Sequence, residues 1–308
     1  MHVKPVGLEA KLHAVEWPTC FVAAVIYGLW LCLTWFHAQL PIYILLPAGA
    51  IVTAWHGSLQ HEIVHGHPTP WPRVNWLMGV LPLNLWLPLV SYRLGHLEHH
   101  VTAHLTEPPD DSESKYYSRP QWHHMGPLLR FVAALHATLL GRMIIGPFWT
   151  IISFFMGCGP EMRENLRAWA WHLVGVGLVL VWVLLICHMS FLYYVLCFVL
   201  AGTSLSLVRS FAEHRAAPEF GHRTAIVESG PFWSLLFLNN NLHVVHHLHP
   251  GLAWYRIPQL YRQKRDEYLQ TNGNLLYKGY GEIFRRYFLK PHDQLIHPFK
   301  EFKKGSEY

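Results

Sequence analysis

Charge is scarce in this sequence. Asp, Glu, Lys and Arg make up 14% of its 308 residues, while hydrophobic residues reach 52%. An ordinary soluble domain carries about 25% charged residues, so this balance points away from a soluble enzyme and toward lipid surroundings. None of the five cysteines forms a CxxC pair. Four of them lie in very apolar stretches, and all five read as buried thiols, not as a zinc knuckle or a disulfide framework. The net charge is +5, but the basic residues form no clustered reading surface, so nucleic acid is not an expected partner. In a membrane protein such an excess reports topology instead. Internal repeats and low-complexity tracts are absent, and no cleavable signal peptide is expected: the segment to Glu16 is polar, and no small-residue cleavage site follows the first apolar run.

The missing charge has a pattern. Residues 18–36, 40–60, 168–187 and 189–208 carry no Asp, Glu, Lys or Arg, and each run is long enough to cross about 30 Å of hydrocarbon as a helix. The first two are separated only by the stretch around His37, and the last two only by His188, which predicts two helical hairpins. All 24 Lys and Arg residues fall before Pro18, between His61 and Arg167, or after Val208. By the positive-inside tendency, both termini and the long middle segment are cytoplasmic and the two turns face outward. Residues 74–92 are also uncharged, but Pro82, Pro88, Asn75 and Asn84 argue against a lipid-exposed straight helix; they read as re-entrant or interfacial. Residues 128–142 and 143–160, the latter interrupted at Gly146-Pro147, read as interfacial helices. The basic, aromatic tail from Arg256, with Lys300, Lys303 and Lys304 near its end, reads as a solvated cap able to meet anionic headgroups. The expectation is an all-α integral membrane protein: one domain over residues 1–308, with four transmembrane helices in two hairpins, interfacial helices, and a cytoplasmic cap carrying the histidines.

Histidine is what the chain has in excess, 24 in all. A count that high guarantees chance pairs, so the weight rests on three clusters. His243-Val244-Val245-His246-His247 places His243, His246 and His247 on one helix face, because residues three and four apart are neighbours there. His96, His99 and His100 repeat the pattern, and His61 and His65 add a pair four apart. All three clusters are predicted on the cytoplasmic side. His214, just past the fourth apolar run, lies at the same depth and joins them as a ninth candidate, since an ionisable residue at a helix mouth is often functional. His67 and His104 sit near clusters but out of register, and His56 falls inside the second run as a packed core residue. Glu62, Glu98, Glu213, Asp110 and Asp111 are the candidate partners for the outer ring nitrogens, which metal-bound histidines generally engage.

Imidazole suits Fe, Zn, Cu and Ni alike. A zinc site takes three or four protein ligands, so eight or nine imply two metals. Iron is favoured because a redox-active pair beside a membrane suits oxygen activation against inert C–H bonds. His61-Glu62-Ile63-Val64-His65 is also a literal HExxH, the signature of zinc proteases, but a protease does not account for two HxxHH clusters at the same depth. A metal transporter would carry polar residues through its spans, and the first span is polar only through Thr19, Thr34 and its cysteines.

The order HxxxH, HxxHH, HxxHH around two hairpins resembles the membrane-bound fatty acid desaturases, a superfamily that includes lipid hydroxylases and carotenoid oxygenases. The resemblance runs from about Pro18 to Pro258 and includes Asn240-Asn241-Leu242 and Pro250-Gly251-Leu252-Ala253-Trp254-Tyr255. It implies a non-haem di-iron centre held by His61, His65, His96, His99, His100, His214, His243, His246 and His247. It further implies O2 as co-substrate, a lipid substrate, and an O2-dependent reaction introducing a double bond into a fatty acyl chain, or its sibling hydroxylation or ketolation. Where acyl desaturases hold a water with an asparagine one turn before the extra histidine, this chain has Ser210, with Asn240 or Asn241 as substitutes. His249-Pro250-Gly251-Leu252 is not a cytochrome b5 haem motif, and the paired cysteines of rubredoxin are absent. The implied electron donor is therefore a separate ferredoxin, rubredoxin or cytochrome b5 type protein with its reductase.

Overall fold

The computed structural model describes Glu9 and residues 14–299; Lys300, Lys303 and Lys304 lie outside the described residues. Among the described residues, four helices are long and apolar enough to cross a membrane: α1 (Trp17–Trp35), α2 (Ile42–Val64), and the later pair Leu166–Ile186 and Phe191–Glu213. Two shorter helices lie between the hairpins and matter for the site, α3 (Pro72–Gly79) and α4 (Leu89–Val101). The later pair is then α5 (Leu166–Ile186) and α6 (Phe191–Glu213). Large apolar side chains such as Phe21, Trp171, Leu178 and Leu192 point outward, as lipid-facing helices require.

α2 is the central helix. It packs on α1, α3, α4 and α6, and small residues set how closely. A Cβ on Gly49 would lie 2.5 Å from the Cys197 carbonyl oxygen of α6, and one on Gly202 would lie 2.4 Å from Thr53 Cβ. Such close backbone approach drives helix association where lipid offers no hydrophobic gain. Both α2 and α6 run past their charge-free stretches, α2 to Val64 and α6 to Glu213. The extensions bring His61, Arg209 and Glu213 onto the ends of spanning helices. The cap holds the extended end of α6, where the Ala225 backbone N–H donates to the Glu213 carbonyl at 2.8 Å.

Residues 74–92 do not cross. They divide into α3, an irregular stretch and the start of α4, tied to the bundle at several points. Gln60 Nε2 donates to the Gly79 carbonyl at 2.8 Å, Tyr194 Oη to that of Leu83 at 2.8 Å, and Trp86 Nε1 to Thr203 Oγ1 at 3.3 Å. Backbone that breaks its helix inside an apolar setting needs such partners. Residues 143–160 likewise fall short, because the helix Gly146–Gly157 has 12 residues, about 18 Å of rise. His61 and His96 therefore lie at the same end of the bundle.

The rest of the chain caps that end. Besides short helices it contains, among the described residues, one pair of two-residue parallel strands, β1 (Ile226–Val227) and β2 (Leu276–Tyr277), in the register Ile226↔Leu276 and Val227↔Tyr277. The tail beyond Arg256 differs from the solvated cap its composition suggests, since Tyr261, Tyr268, Tyr277, Tyr280, Ile283, His292 and His297 are all buried. Its aromatics pack in two places: Tyr261 and Tyr268 with Leu242, Val244 and Val245, and Tyr277 and Tyr280 with Val208 and Phe211 near the end of α6. All five cysteines are free as expected, but only Cys187 and Cys197 are buried, and Cys32 lies exposed on the outer face of α1.

Candidate metal centre

The centre is assembled from the ends of α2, α4 and α6 and a short helix, α7 (His243–Leu248). α2 closes at His65, where Gly66 turns the chain out of the helix with φ of 92°. α4 carries His96, His99 and His100 in its last turns. Ahead of α7, Leu238 (φ 46°) and Asn239 (φ 57°) take left-handed conformations, for which asparagine is one of the few tolerant residues. The asparagines then pin the turn: Asn239 Nδ2 donates to the Trp254 carbonyl at 3.0 Å and Asn241 Nδ2 to that of Val227 at 2.7 Å.

All nine histidines singled out from the sequence converge, in two groups. His61, His65, His96, His100 and His246 form one; His99, His214, His243 and His247 form the other. Within the first, Nε2 atoms lie 3.1 Å apart for His65–His96 and His96–His100, and 2.9 Å for His100–His246. Within the second, the spacings are 3.0 Å for His99–His214 and His214–His243, and 3.2 Å for His243–His247.

The outer ring nitrogens decide what the inner ones can do. His99 Nδ1 donates to Asp111 Oδ1 at 2.7 Å, His96 Nδ1 to Glu113 Oε1 at 2.9 Å, His243 Nδ1 to Asn240 Oδ1 at 3.0 Å, and His214 Nδ1 to the Arg223 carbonyl at 3.2 Å. Each of those partners is an acceptor, so a neutral ring spends its only N–H outward. Its Nε2 then presents a bare lone pair, and lone pairs facing one another at about 3 Å repel unless a cation sits among them. The donor set fits metal ions, and each group could hold one. With metal–nitrogen bonds of about 2.1 Å, right-angled ligands stand about 3.0 Å apart and tetrahedral ones about 3.4 Å. The observed spacings match the right-angled arrangement.

Electrostatics prepare most of these rings as ligands. Burial, then repulsion from neighbouring imidazoles, holds His100, His246 and His247 well below the usual histidine range, so they are neutral. Burial also leads for His214 and His243. His99 differs: burial favours its neutral form, but Glu113 and Asp111 outweigh it and hold the ring up to about 9.

Other candidates fall elsewhere. His67 is buried against Glu16 Oε2 at 2.9 Å, His104 is exposed beside Glu107, and His56 packs in the bundle against the Tyr27 hydroxyl at 3.2 Å. Among the proposed outer partners, Asp111 is in place, while Glu213 stands 3.5 Å from His243 Nδ1. Asp110 instead faces His104 and Glu107 at the surface, and Glu98 is exposed. Glu62 is buried with Oε2 accepting the Trp254 backbone N–H at 3.1 Å and Oε1 3.6 Å from His61 Nδ1, so it anchors the chain and stands at the outer nitrogen of a histidine, as expected. Ser210 bonds back to the Leu207 carbonyl, whereas Asn240 reaches His61, His243 and Glu213. Sequence reading missed Glu113 and the Arg223 carbonyl. Glu113 lay within sight, in the acidic stretch that follows the second cluster, but nothing in its spacing singled it out.

Comparison with known proteins agrees with the geometry. A family model described as fatty acid desaturase matches residues 38–278, a span that holds all nine histidines and both ends of the irregular segment. No curated protein sequence matches the chain. The match covers well over half of the molecule and falls on the part that builds the paired histidine groups, so the chain belongs to the fatty acid desaturase family, as a membrane-embedded oxidoreductase of lipids.

Proposed function

We propose that the protein is an O2-dependent, non-haem di-iron desaturase that introduces a double bond into a fatty acyl chain. The observation that carries this reading is the division of nine inward-facing imidazoles into two adjacent groups with right-angled spacing. Five- or six-coordinate iron accommodates that spacing, and tetrahedral zinc does not. The proposed ligands are His61, His65, His96, His100 and His246 for one ion and His99, His214, His243 and His247 for the other, within one membrane domain.

Two iron ions, when bound and reduced, supply the O2 activation needed to take hydrogen from an unactivated methylene. The balance is one O2, two electrons and two protons in, one double bond and two waters out. The chain's own residues keep the geometry. Asp111 and Glu113 orient His99 and His96, Asn240 orients His243, and the Arg223 carbonyl orients His214. Glu213, buried between Arg209 at 3.3 Å and His243 at 3.5 Å, fixes the charge beside the second group. The electrons come from a separate donor of ferredoxin, rubredoxin or cytochrome b5 type with its reductase, and the centre faces the cytoplasm.

The test is expression in a host of known lipid composition, with and without a reductase partner, followed by mass spectrometry and metal analysis. A donor-dependent loss of two hydrogens from an acyl chain and two irons per chain are expected. His246→Ala should abolish the product while still inserting in the membrane. A gain of one oxygen would instead assign the hydroxylase reaction, and one zinc per chain would refute both.

A further inference from the structure

The face of α2 that carries His61 continues into the bundle as Gly57 and Thr53, opposite Ser206 and Arg209 of α6, with Trp86 of the irregular segment alongside. These residues enclose a cavity of about 130 Å³. It adjoins the histidines at two points. Tyr92, also in its wall, has its ring 5.5 Å from that of His96. Arg209 Nε is 3.3 Å from Glu213 Oε1, which is 3.5 Å from His243 Nδ1.

Two features show that the cavity is built to receive something. Thr53 Oγ1 and Arg209 Nη1 are buried without a hydrogen-bond partner among the described residues, and both residues line it. Native proteins pair nearly all such groups, and ligand pockets pair mostly apolar walls with a few convergent polar atoms. The second feature is Gly57. Glycine inside a helix is unfavourable, and close packing does not call for it here, because a Cβ at Gly57 would meet nothing nearer than Ser206 Oγ at 3.9 Å. What the missing side chain provides is room one turn from His61. A larger cavity of about 500 Å³ lies on the other side of α2, where Ile63 projects about 200° around the helix from His61; neither free donor lines it.

We propose that the cavity under His61 seats an oxygen-bearing segment of the lipid substrate, with a carbonyl or carboxylate oxygen accepting from Arg209 and Thr53, and that Gly57 is the specificity-determining position that gives it room. This rests on the lipid-oxidising reading above. A cavity of about 150 Å³ holds benzene, so this one takes roughly six non-hydrogen atoms. The carbon oxidised therefore lies within about six bonds of the substrate's own oxygen.

The test uses the full-length, iron-loaded protein in detergent, with hexanoate, whose carboxylate and next three carbons would fill the cavity, and heptane as probes. Hexanoate should raise the melting temperature of the wild type and heptane should not. The shift should shrink in Gly57→Ala, vanish in Gly57→Leu, and need about tenfold more hexanoate in Thr53→Val, all at unchanged iron content. Equal stabilisation by heptane, or an undiminished hexanoate shift in both Gly57 variants, would overturn the proposal and leave a cavity that holds only water. Products are then mapped. Wild-type oxidation should fall near the oxygenated end of the lipid and move away from it in Gly57→Ala; oxidation far along the chain in both also refutes the proposal. Gly57-dependent hexanoate binding without any oxidised lipid would sink the desaturase reading and keep the cavity assignment.

Discussion

His99 is the imidazole on which the acidic loop after α4 converges. Asp111 accepts its Nδ1–H at 2.7 Å and also accepts the backbone N–H groups of Thr106 and Glu113, so one carboxylate both orients the ring and folds the loop. Removing such a partner typically lowers metal affinity about 10–100-fold. Asp111→Ala should do so at the four-histidine group and leave the five-histidine group loaded, as metal titration of the purified protein would show; Asp111→Asn, which keeps the acceptor oxygen, should lose less. Lys115 offers a separate test by pH. Burial first, then the charge of Arg142, pushes its amine from 10.5 down to about 7, while Nζ donates to the Phe211 carbonyl and His292 Nδ1. The unfolded chain then binds this proton more tightly than the folded one. The penalty is fully present below about pH 7 and is relieved as pH rises toward 10.5. Melting temperature should therefore climb between pH 7 and 9.5, and Lys115→Met should flatten that slope.

Helix contacts set the positions of the residues above. α2 and α6 touch through Gly49 and Gly202, and these contacts fix where His61 and His214 arrive. Adding a side chain at Gly49 must push the Cys197 carbonyl away, and overpacking of this kind costs about 1–3 kcal/mol. Gly49→Val should lower the melting temperature in detergent by several degrees, whereas Gly28→Ala, whose Cβ meets nothing within 4 Å, should not. A second tie fastens the cap. Arg223 is buried and donates to the Leu105 carbonyl and to Glu107 Oε1, while its own carbonyl receives His214 Nδ1. One residue thus joins the loop after α4 to the chain after α6, between which the four-histidine group forms.

Across the whole molecule, the arrangement depends on an even number of crossings between the histidine clusters. Four spanning helices, a broken segment at 74–92 and a helix too short to cross at Gly146–Gly157 satisfy that condition. From the Lys and Arg distribution we propose that the cap lies in the cytoplasm. An alkaline phosphatase fusion after Phe299 should accordingly be inactive, and one inserted at His188 active; the reverse pattern would invert the assigned orientation.

The nine imidazoles and the four helices were legible in the sequence, because both follow from short-range periodicity: three- and four-residue spacing for the histidines, unbroken charge-free runs for the spans. Family membership was legible for the same reason. Of the partners of those imidazoles, only the carboxylates Asp111, Glu213 and Glu62 were. Glu113, Asn240 and the Arg223 carbonyl reach the rings across 17, 3 and 9 residues, through a loop, a left-handed turn and a strand-like return that no local pattern announces. The division of the histidines into five and four, the burial of the aromatic tail and the cavity beside Gly57 belong to the same class. They arise from how helix ends approach one another, and only the folded chain fixes those distances.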